Sequence, residues 1–356
     1  MRARTIPTVT TIPFVRFSEM AISPMWYKIK RRIARMVHAL FHHSAVPIFV
    51  AVMQRKMGRM ISSKAEQGIL TVPPVSAIVG QKRPSSMAES AEGSTAKIPR
   101  IIFQTWKSCV DVPENYRIWR QTFFELNPGF EIVLWDDDDN RAFVESNFPW
   151  FLPYYNRYPK EIFRADAVRP LFLFFYGGFY ADMDTECLRP LEELRTRGDV
   201  LLGKMGPDPS FEHSVPNAIM ASKPRQLFWV LAIKMMMEIL DSIPGPVELK
   251  SFRPEKLTGP VFLKTVVDRY VASDPAEVMR ECAAVLELLG AELRNNVRPG
   301  SITLLDPDEW YPVDWTNPVH RLLRKDILDN KQLLAPATAR RLFDRASMVT
   351  YWSHSW

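Results

Sequence analysis

One stretch of this chain, residues 160–184, constrains the fold more than any other. Residues 160–176 are mostly apolar and long enough for a buried helix, and Gly177-Gly178 follow as a helix stop requires. Phe179-Tyr180-Ala181 then leads the chain as a short strand into Asp182-Met183-Asp184. If the strand continues to Asp184, side chains two apart share a face, and both carboxylates project from the carboxyl end of a strand. Open α/β sheets bind ligands at that end. Hard oxygen ligands of this kind suit Mg²⁺ or Mn²⁺ bridging to phosphate. An Asp-x-Asp by itself is common and means a polar turn; the helix and the Gly-Gly before it raise the metal reading.

Asp166 and Arg169 lie three apart on the same predicted helix and so share a face. Read blandly, they are an intrahelical ion pair worth a few tenths of a kcal/mol. Read functionally, they offer a carboxylate and a guanidinium to a polyhydroxylated ligand. Pro170 removes the hydrogen bond to the Asp166 carbonyl, which predicts a kink there.

Around this block, strands are expected at 98–104, 131–135, 200–202, 218–221 and 302–305, and helices near 140–147, 225–240 and 275–293. Strands alternating with helices predict an α/β domain with a largely parallel or mixed sheet. Asp136 to Asp139 are consecutive, so they cannot converge on one ion as spaced carboxylates do; they suit the cap of a helix starting at Asn140. The end of the chain is strongly β-prone at 349–352, which would anchor His354, Ser355 and Trp356. Their side chains offer a metal ligand, a hydroxyl donor and an indole N–H.

The charge balance bears on partners. The chain holds 46 Lys and Arg against 40 Asp and Glu, with a pI near 9.1, which invites a nucleic-acid reading. Residues 1–99, however, hold 15 basic against 4 acidic residues, and the remainder holds 31 against 36. A basic arm is joined to a mildly acidic body, so no nucleic-acid partner is expected. Within the arm, 1–61, Trp26, Ile29, Ile33, Met36, Val37, Leu40 and Phe41 recur at helical spacing among Lys28, Lys30, Arg31, Arg32 and Arg35. That pattern fits a basic amphipathic helix on an anionic membrane. The uncharged run behind it, extended back through His38, reaches about 17 residues against the roughly 20 that a membrane span needs. An Arg-rich, nearly acid-free start also fits an organelle presequence, or a tail of no special role. Residues 62–97 read as a linker, and 98–356 as the folded domain.

Other chemistries lose their usual signatures. There is no Walker loop, Gly-x-Gly-x-x-Gly, Gly-x-Ser-x-Gly or His-Glu-x-x-His. Three cysteines, Cys109, Cys187 and Cys282, make neither a disulfide framework nor a zinc spacing. A metal-dependent phosphoesterase would share the acidic pair but needs a His-rich ligand set that is not seen.

Taken together, Ile98-Pro99-Arg100-Ile101-Ile102-Phe103-Gln104-Thr105-Trp106-Lys107, Trp135-Asp136-Asp137, Phe163-Arg164-Ala165-Asp166-Ala167-Val168-Arg169, Tyr176-Gly177-Gly178-Phe179-Tyr180-Ala181-Asp182-Met183-Asp184 and Tyr351-Trp352-Ser353-His354-Ser355-Trp356 resemble glycosyltransferase family 32. This DXD-containing group includes initiating mannosyltransferases and inositol-phosphorylceramide mannosyltransferases. The resemblance spans residues 98–356. It implies a GT-A, Rossmann-like mixed sheet flanked by helices, with the non-globular basic arm left outside it. The implied activity is retaining transfer of a hexose from a nucleotide sugar, by front-face attack or a covalent intermediate. Asp182 and Asp184, with His354 as a third ligand, would hold Mn²⁺ or Mg²⁺ against the donor diphosphate. Asp166 and Arg169 would grip the donor sugar, Asn217 would face its pocket, Gln104 and Trp106 would meet the nucleotide base, and Ser355 and Trp356 would close over the phosphates. Phe103 stands where the family commonly carries His. The implied donor is GDP-mannose first, or a UDP-sugar, and the acceptor a glycan or an inositol-phosphate sphingolipid, in a Golgi-type endomembrane setting. The alternative is a catalytically inactive sugar-nucleotide-binding or scaffold protein of the same fold.

Overall fold

The computed structural model describes residues 97–314, 317–329 and 333–353. The expected arm and nearly all of the linker lie outside the described residues, as do His354, Ser355 and Trp356. Eight strands are described: β1 Ile101–Thr105, β2 Glu131–Trp135, β3 Gly178–Ala181, β4 Thr185–Cys187, β5 Val200–Gly203, β6 Ile219–Ser222, β7 Ile302–Leu305 and β8 Met348–Thr350. Six of them form one sheet in the order β2-β1-β3-β6-β5-β7, and β4 pairs with β8 in a second, two-stranded sheet. Pairing is parallel at β1/β2, β1/β3 and β5/β7 and antiparallel on both sides of β6. The mixed sheet flanked by helices agrees with the expected architecture.

Every residue of β1 and β3 is buried, because both faces of the sheet are covered. Ile101, Phe103 and Tyr180 point into the core on one face, and Ile102, Phe179 and Ala181 into the core on the other. Helix α1 Glu114–Leu126 buries Phe123 in the core of the second face, and the first face is roofed by α2 Asp137–Asn147, α3 Glu161–Phe175, α4 Leu227–Ser242 and α5 Pro260–Ala272, all of which bury residues in its core. Phe103 is a hydrophobic pillar there, stacked on Phe172 with ring centroids 5.1 Å apart and tilted against Trp135 and Tyr176.

α3 buries eleven of its fifteen residues, apolar on every side as a helix in the middle of a domain must be. It stays helical through Pro170. The proline costs one backbone hydrogen bond, and close packing all round the helix outweighs it. The helix stops where expected: Gly177 donates to the Leu173 carbonyl at 3.1 Å and takes φ +68°. Gly178, at φ +92°, sits so close to β1 that a Cβ would lie 2.6 Å from the Ile101 carbonyl oxygen.

Three expectations need correction. The chain does not continue as a strand to Asp184. β3 ends at Ala181, and the Thr185 amide closes a turn onto the Asp182 carbonyl at 3.0 Å before β4 leaves for the small sheet. α2 starts at Asp137, three residues earlier than expected: Asp136 is its cap, in a reciprocal capping box with Asp139. The long helix expected over 275–293 is three short ones, Pro275–Glu281, Ala283–Leu288 and Gly290–Asn295, with Gly290 at φ +73°.

The small sheet ties the end of the described chain beneath the Asp182–Asp184 turn. Cys187 pairs with Met348 and Thr185 with Thr350. Between them Glu186, 2% exposed, accepts a 2.6 Å hydrogen bond from the Tyr351 hydroxyl. Burial pushes the Glu186 carboxyl from its ordinary 4.5 up to about 7, against the pull of Tyr351 and Arg340. A carboxyl that binds its proton more tightly folded than unfolded contributes stability that is complete below the ordinary carboxylate range and is lost as pH rises through about 7. The loss amounts to about 3 kcal/mol. Glu186→Gln keeps the acceptor and the shape, so urea unfolding at pH 5 and pH 8 should show a smaller loss between the two than in the wild type, and a gain in stability at pH 8.

Candidate functional site

The carboxyl ends of β1 and β3 meet beside the turn that carries the acidic pair. Arg169 of α3, 2% exposed, is at the centre. Its Nη2 lies 3.0 Å from Asp166 Oδ1, one helical turn back, and 3.0 Å from Asp182 Oδ1 on the turn. Its Nη1 donates to the Asn217 carbonyl at 2.9 Å, and the guanidinium lies 4.6 Å from the centre of the Tyr180 ring. Asn217 returns to the cluster by donating from Nδ2 to Asp166 Oδ1 at 2.9 Å. The Tyr180 hydroxyl donates to Asp182 Oδ1 at 2.8 Å. Asp166, Arg169, Asp182 and Asn217, all expected from sequence, form one hydrogen-bonded unit.

The charges follow from burial. Desolvation opposes the Arg169 charge, but Asp182, Tyr180 and Asp166 outweigh it, and the group is held above its ordinary range. Burial raises Asp166, with Arg169 and Asn217 opposing. Burial also pushes Asp182 up to about 7; Arg169 lowers it and the charge of Asp184 raises it further.

Asp184, 9% exposed, is held by the end of the described chain. Its Oδ1 accepts from the Thr350 hydroxyl at 3.1 Å and its Oδ2 from the Ser353 amide at 2.6 Å, while its carbonyl accepts from the Tyr351 amide at 2.9 Å. Trp352, at φ +55°, turns the chain so that this amide can reach Asp184. Arg324 fixes the turn by donating from Nε to the Tyr351 and Trp352 carbonyls at 3.1 and 2.7 Å.

A divalent cation fits this donor set. Two carboxylates from one turn stand near each other, only Asp182 of the two is paired with Arg169, and the like charge of Asp184 on Asp182 is a repulsion that a cation would offset. Among the described residues, the bonds to the Asp182 carboxylate, from the Tyr180 hydroxyl and Arg169, go to Oδ1. The geometry elsewhere in the chain that superficially resembles a metal centre, Cys109 with Asp136 and Asp139, is the capping box of α2.

Gln104 and Trp106 are walls. Gln104 is fully buried, donates from Nε2 to the Asp182 carbonyl at 3.3 Å and accepts from Arg120. The Trp106 indole N–H donates to the Asp111 carbonyl at 2.9 Å, and its ring, 4% exposed, packs edge-on against Tyr116. Sequence reasoning missed Tyr180, Thr350, Ser353, Arg324 and Tyr311. Tyr180 was legible as the residue two before Asp182 on a strand. Tyr311, whose hydroxyl receives the Ile219 amide at 2.7 Å, and Arg324 reach the site from far along the chain and left no local signal.

Residues 113–201 match the family model described as "Glycosyltransferase sugar-binding region containing DXD motif". Inositol phosphoceramide mannosyltransferase 2 of Schizosaccharomyces pombe is 44% identical over 97 residues, 27% of this chain and 28% of the relative. Mannosyl phosphorylinositol ceramide synthase CSH1 of Saccharomyces cerevisiae is 35% identical over 175 residues, 49% of this chain and 43% of the relative. Initiation-specific alpha-1,6-mannosyltransferase of Candida albicans is 34% identical over 112 residues, 30% of this chain and 29% of the relative. The chain thus spans less than half the length of each of these relatives.

Removing the central charge tests the cluster. Arg169→Met leaves two buried carboxylates without their partner and should cost about 3–5 kcal/mol in urea unfolding. Because those carboxylates then take up protons, the cost should be larger at pH 8 than at pH 5. Arg169→Lys, a point charge that cannot span Asn217, Asp166 and Asp182 together, should recover only part of it.

Proposed function

We propose that this chain, whose residues 113–201 belong to the glycosyltransferase sugar-binding region with a DXD motif, transfers a hexose from a nucleotide sugar to a hydroxyl acceptor. The observation that carries the reading is the Asp182–Asp184 turn joined through Arg169 to Asp166 and Asn217: a candidate cation site beside a set of groups fit to hold sugar hydroxyls. Mannose from GDP-mannose is the first choice of donor, and an inositol-phosphate sphingolipid or a glycan the acceptor, supported by the names of the relatives.

In this reading Asp182 and Asp184 hold Mn²⁺ or Mg²⁺, which neutralises charge on the departing nucleotide diphosphate. Arg169 fixes Asp182 in place and opposes the burial that raises the Asp166 carboxyl. Asp166 accepts from hydroxyls of the donor sugar, which positions the anomeric carbon toward the acceptor. Asn217 orients Asp166, and Gln104 and Trp106 support the nucleotide side of the pocket. The reading also assigns His354 as a third metal ligand and Ser355 with Trp356 as a clasp over the phosphates; these three lie outside the described residues. Transfer proceeds with retention of configuration.

The domain is assigned to 98–356, with 62–97 a linker and 1–61 an arm that associates with an endomembrane of Golgi type. Among the described residues no helix is long and apolar enough to cross a membrane. Full-length protein should therefore sediment with anionic vesicles while residues 98–356 remain in the supernatant; a soluble full-length protein refutes the arm's role.

Donor hydrolysis and transfer, screened across GDP- and UDP-sugars with and without Mn²⁺, tests the main reading. Asp184→Asn retains an oxygen for Thr350 but removes the charge, and should abolish Mn²⁺-dependent turnover. Unchanged turnover sinks the metal role, and nucleotide binding with neither hydrolysis nor transfer favours an inactive binding protein.

A further inference from the structure

A second carboxylate beside Asp166 takes no part in the roles above. Glu255 stands on the short helix Pro254–Leu257, and its Oε2 is buried without a hydrogen-bond partner among the described residues. The hydroxyl of Tyr158, a residue 1% exposed, and the Nε of Arg169 are in the same condition. All three lie around Asp166: the charge of Glu255 raises its carboxyl, the charge of Asp166 in turn raises the Tyr158 hydroxyl, and Arg169 is paired with it at 3.0 Å. Gly259 makes the approach close. A Cβ there would lie 2.8 Å from the Glu255 Cα and 3.3 Å from Asp166 Oδ2, so the bare glycine lets the Glu255 backbone close on the aspartate. Asp166 Oδ1 is occupied by Asn217 and Arg169, the Thr258 hydroxyl also bonds to the Asp166 carboxyl, and Oδ2 lies against Gly259 in the Glu255 corner.

Buried polar atoms without partners are rare, and a carboxylate oxygen removed from water is costly until a donor reaches it. A grouping of two carboxylate acceptors and a phenol suits a ligand whose adjacent groups each donate and accept, which is the chemistry of vicinal ring hydroxyls. We propose that Glu255 is a specificity-determining residue of the sugar pocket, its Oε2 accepting a hydrogen bond from a ring hydroxyl of the donor hexose next to the hydroxyl held by Asp166. This inference rests on the nucleotide-sugar reading of the site. A pocket built in this way rejects a sugar that lacks the hydroxyl, because the carboxylate is then buried unpaired.

Calorimetry on the full chain in Mn²⁺, with GDP-mannose, UDP-glucose, GDP and UDP, tests it for the wild type, Glu255→Gln and Glu255→Ala. Glu255→Ala should weaken binding of the recognised nucleotide sugar about tenfold to a hundredfold while leaving the free nucleotide unchanged. Glu255→Gln, which keeps an oxygen acceptor, should lose less. A monodeoxy donor analogue lacking the contacted hydroxyl should bind Glu255→Ala as well as the parent sugar does, a coupling that a purely structural role would not produce. Equal losses for nucleotide and nucleotide sugar overturn the inference, as does no loss at all. Wild-type binding with an unaffected Glu255→Ala overturns this inference alone, whereas a wild type that binds none of the four overturns the nucleotide-sugar reading and this inference with it.

Discussion

A guanidinium without water around it must have its charge balanced, and Arg169 obtains that balance, with partners for both terminal nitrogens, from separate stretches of chain. Asp166 comes from its own helix, Asp182 from the turn after β3, and the Asn217 carbonyl from the approach to β6. Satisfying that one group fixes the distance between α3 and the sheet and holds the acidic turn at the sheet's edge. Burying three charges together is a poor source of stability, since desolvation consumes most of the Coulombic gain. What the cluster secures is position: carboxylates that would repel and wander in water are held to the geometry the site requires.

The rest of the architecture serves that position. Gly177 and Gly178 let α3 end and β3 begin without a loop, so Asp166 and Asp182 belong to consecutive elements packed on each other. The parallel pairing of β1 with β3 brings Gln104 under the Asp182 carbonyl. The β4–β8 pair then returns the distant segment 348–353 to Asp184, where Thr350 and the Ser353 amide fill the two carboxylate oxygens. A site assembled this way draws on residues separated by more than a hundred positions while being braced by backbone at almost every point.

Much of this was legible before any coordinates. α3, its glycine stop and β2 follow from apolar run length and turn residues, because a buried helix and a buried strand leave unmistakable apolar runs. Helical spacing points to Asp166 and Arg169 and the family resemblance to Asn217, and the three lie together. The long helix over 275–293 misled because its helix-forming residues outweigh, in any local window, the single left-handed position at Gly290. The Asp182–Asp184 segment misled in a more instructive way. Alternation along a strand and a tight turn can both bring carboxylates two residues apart to one side, and only the pairing of β4 with β8 decides between them.

The amino-acid sequence by itself determined the α/β class, the separation of a basic arm from an acidic body, and which local carboxylates and guanidinium could act, because periodicity, glycine stops and charge are properties of neighbours in the chain. Tertiary structure alone decided that Asp184 is gripped by Thr350 and Ser353, that Trp106 spends its indole N–H on Asp111, and that Glu255 comes to rest beside Asp166. Those contacts span separations of 5 to 169 residues, and no local signal specifies which distant group will fill a buried lone pair.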